Sequence, residues 1–131
     1  MRAQELRIGN LLMWEDESED IIAMKDIILR DNYYSVSFDG GYAQLDEFIP
    51  IKLTEGWLKK LGFKSTGVWG DYSNEKLLIC SDLKDDGSKL IYSGEYYFKH
   101  GNNRVPLKYI HQLQNLYFAL TGKELIAKKT K

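Results

Sequence analysis

The sequence predicts an α+β fold in which short antiparallel strands predominate and a longer helix follows them. Tyr34, Val36 and Phe38 alternate with polar residues, which is the period-2 pattern of a half-buried strand. Turn residues separate several further short apolar runs over residues 68–99. The apolar residues over 109–121 repeat instead with the period of an α-helix. These three observations favour an antiparallel meander combined with helices.

Composition limits the classes of protein to which the chain can belong. Its 131 residues suit about one domain, and 44% of them are hydrophobic, which is enough for a buried core. The net charge of −1 gives no whole-molecule field that draws nucleic acid or anionic lipid, so nucleic acid is a disfavoured partner. No apolar run approaches the ~18–20 residues of a membrane span. The first residues are charged and no apolar stretch follows them, so we expect no signal peptide and a cytoplasmic protein.

Residues 1–53 are expected to form a small β-barrel-like module of SH3-like type, because short strands, a bend and a closing helical turn follow each other closely. The expected elements are a strand over 6–14 with a bend at Gly9, a solvated acidic tip over 15–20, a strand over 21–29 broken at Lys25 and Asp26, a strand over 34–38, a hairpin turn at 39–41, a return strand over 42–44, and a helical turn over 45–50.

Residues 54–126 are expected to form a second module that shares a core with the first and begins with a short helix over 55–61. Thr54 is a good N-cap, because its hydroxyl can accept a hydrogen bond from the first turn. Leu53 and Leu58 occupy the two positions of a hydrophobic staple. Gly62 stands where a left-handed residue ends a helix. This helix is therefore predicted to be capped at both ends.

The rest of the second module is expected to be a β-meander packed by the last helix. The expected elements are strands over 68–72, 77–81, 89–93 and 95–99, turns at 73–75, 84–88 and Gly94, a helix over 109–121 ended by Gly122, and a disordered basic tail over 127–131. Residues 105–108 fit either a strand or the first turn of the helix. The single cysteine, Cys80, excludes an internal disulfide and fits a reducing compartment. Its apolar neighbours favour a buried structural thiol over a nucleophile.

Three segments together resemble a family of small, functionally uncharacterised proteins that are common in prophages and mobile elements of gut anaerobic bacteria. These segments are residues 5–10 (ELRIGN), residues 50–63 (PIKLTEGWL and LGF) and residues 111–122 (HQLQNLYFALTG). The resemblance implies a shared fold and a mobile-element origin. It implies no activity, cofactor or catalytic residue.

The last helix carries two stripes of side chains. The first is an ordinary core face, formed by Tyr109, Ile110, Leu113, Leu116, Tyr117 and Leu120. The second is formed by Leu107, His111, Gln114 and Phe118. The favoured interpretation buries both stripes, with Phe118 mostly buried and His111 partly exposed. The alternative is that His111, Gln114 and Phe118 face a protein partner or a second subunit.

A second candidate surface mixes aromatic, basic and amide groups over residues 96–104. Rings flanked by Lys and Arg suit single-stranded nucleic acid, which places Tyr97 and Arg104 among the candidate partner residues. Tyr96 and Phe98 share one strand face, however, and are expected to belong to the core. Residues 99–104 are then an ordinary polar loop.

Three classes of function remain open, and the favoured one is a non-enzymatic module that binds a protein, in which homo-oligomerisation is one option. The second is an accessory factor associated with nucleic acid. The third is a small enzyme with a site near His111, which as a general base needs a nucleophile and an orienting carboxylate that sequence cannot place. His100, His111 and Cys80 are too few for a zinc site, so no metal or cofactor is expected.

Overall fold

The computed structural model describes residues 2–16, 18, 20–67, 71–85 and 90–125, and it has an α+β fold made mostly of antiparallel sheets. Its elements are β1 (Leu11–Trp14), β2 (Ile21–Ala23), β3 (Asp26–Leu29), β4 (Tyr34–Phe38), β5 (Gly41–Gln44), β6 (Phe48–Pro50), α1 (Glu55–Lys60), β7 (Lys64–Ser65), β8 (Tyr72–Ser73), β9 (Leu78–Asp85), β10 (Leu90–His100), β11 (Asn103–Leu107) and α2 (Ile110–Thr121). Parts of five expected elements lie outside the described residues, namely Glu17 and Glu19 of the acidic tip, residues 68–70 of a strand, residues 86–88 of a turn, residue 89 of the next strand, and the tail.

The chain divides into two compact units. Unit 1 comprises Met1–Lys52 and Tyr109–Glu124, and unit 2 comprises Leu53–Lys108 and Leu125–Lys131. The first boundary lies one residue before the expected division after residue 53. The helix α2 clusters with unit 1, whereas the sequence assigned it to the second module.

Unit 1 contains two three-stranded antiparallel sheets, ordered β2-β1-β6 and β3-β4-β5. A shared cluster of buried side chains comprises Leu6, Leu12, Met24, Val36 and Phe48. Trp14 and Phe38 pack against this cluster, and their rings meet edge to face at 5.6 Å. No sheet closes into a barrel within the described residues, so the expected SH3-like barrel is not confirmed in that detail.

Local geometry corrects two expected elements of unit 1. The first strand begins at Leu11 and not at residue 6, because residues 7–10 form a turn in which the N–H of Asn10 donates to the carbonyl of Arg7 over 3.0 Å. The chain bends at Gly9, whose φ of 95° favours glycine, as expected for that position. The helical turn expected over 45–50 ends at Glu47, because Phe48–Pro50 pairs with β1 as a strand.

The expected caps of α1 are confirmed, although the helix ends one residue earlier than expected, at Lys60. The hydroxyl oxygen of Thr54 accepts a hydrogen bond of 3.3 Å from a backbone N–H of the first turn. Leu58 is fully buried in the staple. Gly62 has a φ of 92°, and the N–H of Phe63 donates to the carbonyl of Leu58 over 2.9 Å, which completes a Schellman motif.

Unit 2 is built on a five-stranded antiparallel sheet with the order β11-β10-β9-β8-β7. The turn expected at Gly94 is wrong, because β10 runs on as one strand and only shifts register between Tyr92 and Tyr96. The open question about residues 105–108 is answered by β11, which pairs with β10. One face of the sheet is buried in the core, as shown by Tyr72, Ile79 and Leu107.

The helix α2 ends as expected at Gly122, which has a φ of 73° and donates its N–H to the carbonyl of Phe118. Fewer side chains of its expected core face are buried than the sequence pattern predicts. Ile110 and Leu113 are fully buried, but Leu120 is 49% exposed. Within the described part of the chain, no helix is long and apolar enough to cross a membrane.

Candidate functional site

Gln114 lies inside unit 1 and fastens α2 to the segment before β1. Its side chain is 2% exposed. The amide oxygen accepts a 2.9 Å hydrogen bond from the N–H of Leu11, and the amide nitrogen donates over 3.1 Å to the carbonyl of Gly9. Gln114 therefore has an internal structural role in this conformation and does not present a surface to a partner.

Asn10 extends this network, and it is fully buried. Its side-chain oxygen accepts from the N–H of Arg7 at 2.6 Å, and its nitrogen donates to Asn115 Oδ1 at 2.9 Å. Asn115 in turn donates to the carbonyl of Glu5 over 2.6 Å. Two of the three segments that carry the family resemblance, residues 5–10 and 111–122, thus meet in one hydrogen-bonded network.

The ring of His111 is 1% exposed, which contradicts the expectation of a partly exposed side chain. Nε2 lies 3.5 Å from a carboxylate oxygen of Glu5, at the outer limit of hydrogen bonding, and neither ring nitrogen has a hydrogen-bond partner among the described residues. The ring of Tyr109 stacks parallel to it at 5.9 Å. Burial lowers the pKa of His111, and Glu5 only partly opposes that effect. A neutral ring closed off from solvent is poorly placed to act on a substrate.

Phe118 is the exposed member of the second stripe, with 38% of its surface accessible, which contradicts the expectation that it is mostly buried. The guanidinium of Arg7 lies 3.8 Å from the centre of its ring. Arg7 also donates to Glu124 over 2.7 Å. Of the three α2 residues considered as a partner surface, only Phe118 faces outwards, and Arg7 covers part of it.

A groove on unit 1 offers a more suitable binding site. Its volume is about 410 Å³. It lies between the loop that joins β3 to β4 and the 3-10 turn Leu45–Glu47, and the side chains lining it are Asn32, Tyr33, Tyr34, Gln44, Leu45, Asp46 and Phe48. We call this site the tyrosine groove. It combines two phenol rings with an amide and a carboxylate.

Short-range hydrogen bonds shape both walls of the tyrosine groove. The N–H of Arg30 donates to the carbonyl of Tyr33 over 2.7 Å, which closes the β3–β4 loop and leaves the Tyr33 side chain 40% exposed. On the other wall, the carboxylate of Glu47 accepts from the N–H of Gln44 at 2.8 Å and so fixes the 3-10 turn. Both walls are therefore formed before any ligand binds.

Sequence reasoning missed the tyrosine groove, although one signal was available. Side chains alternate between the two faces of a strand, so adjacent tyrosines at the start of a strand cannot both enter the core. Tyr34 is half-buried and Tyr33 remains exposed. The pairing of this loop with the turn at Gln44 depends on the β3-β4-β5 register, which the sequence does not show.

The two remaining candidate residues, Tyr97 and Arg104, belong to unit 2. The guanidinium carbon of Arg104 lies 4.4 Å from the centre of the Tyr97 ring. The two residues are on neighbouring strands, because Arg104 is paired with Lys99 and Tyr97 with Pro106. The expected polar loop over 99–104 is thus mostly strand, and it presents its cations from a sheet.

Among the described residues, no three His, Cys, Asp or Glu side chains are grouped so that they could bind a metal ion. Comparison with models of protein families, with curated proteins and with solved structures finds no match to this chain.

Proposed function

We propose that this chain is a non-enzymatic accessory module that binds an extended segment of a partner protein in the tyrosine groove. The observation that carries the proposal is the composition of the groove, in which exposed aromatic surface adjoins a single carboxylate, that of Asp46. Binding sites for short peptides typically combine apolar and aromatic walls with a few polar groups that set orientation. Tyrosine supplies such contacts at low cost in side-chain entropy.

The lining of the groove indicates the chemistry of the ligand. Tyr33 and Tyr34 can cover an apolar side chain, or a proline, with ring surface. Asp46, which is exposed, can pair with a Lys or Arg next to that side chain. The amide of Gln44 can hydrogen-bond to a peptide group. A segment with an apolar residue beside a basic one is the ligand that matches all three features.

The fold part of the proposal is that the two sheets of unit 1 are the halves of a small, open SH3-like barrel. Three features support this arrangement. The chain passes from β2 into β3 across only Met24 and Lys25. A 3-10 turn separates β5 from β6. The last strand, β6, pairs with the first strand, β1.

The proposal also keeps the prophage and mobile-element origin implied by the family resemblance. Its support is the resemblance itself, whose first and last segments are joined by the hydrogen bond from Asn10 to Asn115. A cytoplasmic accessory protein of such an element fits a module that binds protein segments.

Selection of peptides from a random library displayed on phage tests the proposal. We expect the full chain to enrich peptides with an apolar residue beside Lys or Arg, and to bind them with micromolar affinity. Tyr33→Ala and Asp46→Lys should each weaken binding of the selected peptides at least tenfold. Tyr42→Ala is the matched control, because that tyrosine is 79% exposed and does not line the groove.

Amide chemical shifts locate the bound peptide independently. The proposal expects shifts confined to the β3–β4 loop and to residues 44–48. Failure to enrich any peptide over the Tyr33→Ala background would overturn the proposal. Peptide-induced shifts concentrated elsewhere would overturn the assignment of the site.

A further inference from the structure

Strand register brings distant cations of unit 2 onto one face of the sheet. Paired residues of antiparallel strands lie on the same face, so the ladder can be followed from strand to strand. One row across all five strands contains Lys64, Ser73 and Leu78, which are paired in turn, and Lys99 and Arg104, which are paired with each other. The two parts meet where the register of β9 with β10 continues one residue past the Ile79–Phe98 pair, which sets Leu78 opposite Lys99. We call this row the cation row. With neighbouring strands about 4.8 Å apart, it spans roughly 19 Å.

The cation row is open to solvent and contains no acidic residue. Lys64, Lys99 and Arg104 are exposed, and Leu78 is 47% exposed. The adjacent row on the same face contains Cys80, Tyr97 and Pro106, which are paired. It reaches Asp71 and Thr66 where the register continues one residue past the Tyr72–Ile79 pair and the N–H of Thr66 donates to the carbonyl of Asp71. Asp71 is the acidic residue of that row, and Glu95 follows on β10 beyond it. Positive charge therefore dominates one side of this face.

The effect of these charges on Cys80 supports the same placement. Burial and Asp71 raise the pKa of the Cys80 thiol, while a hydrogen bond with Tyr97 and, to a smaller extent, Lys99 and Arg104 lower it. All three charged residues therefore lie close enough to the centre of this face to influence one group on it.

Lys99 and Arg104 are a directly opposed pair of like charges. Two cations placed side by side favour an anion near both of them. The guanidinium of Arg104 is also flat, and it lies over the ring of Tyr97. Flat cationic and aromatic groups on an exposed sheet are the surfaces on which unpaired bases stack.

We propose that the cation row binds single-stranded nucleic acid, with the three cations contacting phosphates and the Arg104–Tyr97 pair supporting a base. This site is independent of the tyrosine groove. The contact is weak, since three cations replace few counter-ions and the net charge is −1. Affinity near micromolar at physiological salt is expected. For three phosphate contacts on a single strand, the slope of log K against log salt is about −2.

Fluorescence anisotropy with a labelled mixed-sequence RNA or DNA of about 20 nucleotides tests this inference. Raising the salt from about 50 to about 200 mM should weaken binding by roughly 15-fold. Lys99→Gln and Arg104→Gln should each weaken binding and make the slope shallower by about 0.7. Lys60→Gln, an exposed lysine of α1, is the control that should leave both unchanged.

A variant that gains affinity separates the inference from general loss of fold. Asp71→Asn removes the carboxylate from the row beside the cations, so it should tighten binding. A salt slope near zero, or equal weakening by Lys60→Gln and Lys99→Gln, would overturn the inference. Equally tight binding of a polyglutamate peptide would also overturn it and identify the face as a site for acidic peptides. Melting curves of each variant establish that it is folded.

Discussion

The side-chain nitrogen of Asn10 donates a hydrogen bond to the side-chain oxygen of Asn115 over 2.9 Å, and this bond links the segment before β1 to α2. The side-chain amide of Asn10 is fully buried and bonds to both Arg7 and Asn115. Its contribution to stability is largest when all members of this network are present.

Asn10→Ala should lower the free energy of unfolding by about 1–3 kcal/mol. The change leaves the N–H of Arg7 and the oxygen of Asn115 without their buried partner. Urea denaturation measures the loss. Asn32→Ala, an exposed asparagine of the tyrosine groove, is the control and should change stability by less than about 0.5 kcal/mol. Equal effects of the two changes would contradict the structural role of Asn10.

Leu113→Ala should destabilise the protein by about 2–5 kcal/mol, because Leu113 is fully buried and its truncation leaves a cavity. Leu120→Ala, on the same helix, should cost much less, because that side chain is 49% exposed. Thermal melts of both variants compare them directly. Full stability of Leu113→Ala would mean that the core lies elsewhere.

Thr54→Ala should cost about 1 kcal/mol, since the hydroxyl caps the first turn of α1. Thr54→Ser keeps the hydroxyl and should retain most of that stability. The difference between the two variants in urea midpoint isolates the cap. Equal midpoints would show that the cap contributes nothing measurable.

His111 should make stability depend on pH. Its pKa in the folded protein is lowered by burial, so below the ordinary value of about 6.5 the unfolded chain binds a proton more readily than the folded one. The free energy of unfolding should therefore fall as the pH drops below about 6.5, until the lowered pKa is reached. Urea titrations across this range should show a shallower dependence for His111→Gln than for the unaltered chain. An unchanged dependence in His111→Gln would refute the assignment.

Cys80 should react slowly with thiol reagents in the native protein. It lies in β9 at 9% exposure, and burial raises the pKa of its thiol, so little thiolate is available. Absorbance with a disulfide reagent measures the rate, with the urea-unfolded chain as the fast reference. Rapid labelling without unfolding would contradict this expectation.

The features that could be predicted from the sequence depend on near neighbours. The caps of α1 needed only residues 53–63, because their contacts and hydrogen bonds are local. The turn predicted at Gly94 was wrong because the conformation there depends on pairing with a distant strand. Glycine favours turns in isolation, but β10 pairs with β9 on either side of Gly94, so the chain continues as one strand with a register shift there.

The candidate sites depended on residues far apart in sequence. His111 and Phe118 lie on one stripe of α2, and the helical pattern cannot tell which of them is covered. The answer comes from Glu5, which approaches His111, and from Arg7, which partly covers Phe118. The net charge of the chain likewise does not reveal the cation row. Lys64 and Arg104 lie on the same face only because five strands pair in this order.

The discontinuity of unit 1 affects its folding during synthesis. Asn10 leaves the ribosome 105 residues ahead of Asn115. Synthesis proceeds at about 5–20 residues per second, so α2 is made roughly 5–20 s after the first strand of unit 1. Throughout that interval the amide of Asn10 is hydrated and the N-terminal segment has no α2 against which to pack. A nascent chain stalled before α2 therefore presents an incomplete unit to chaperones and proteases, however complete its strands are.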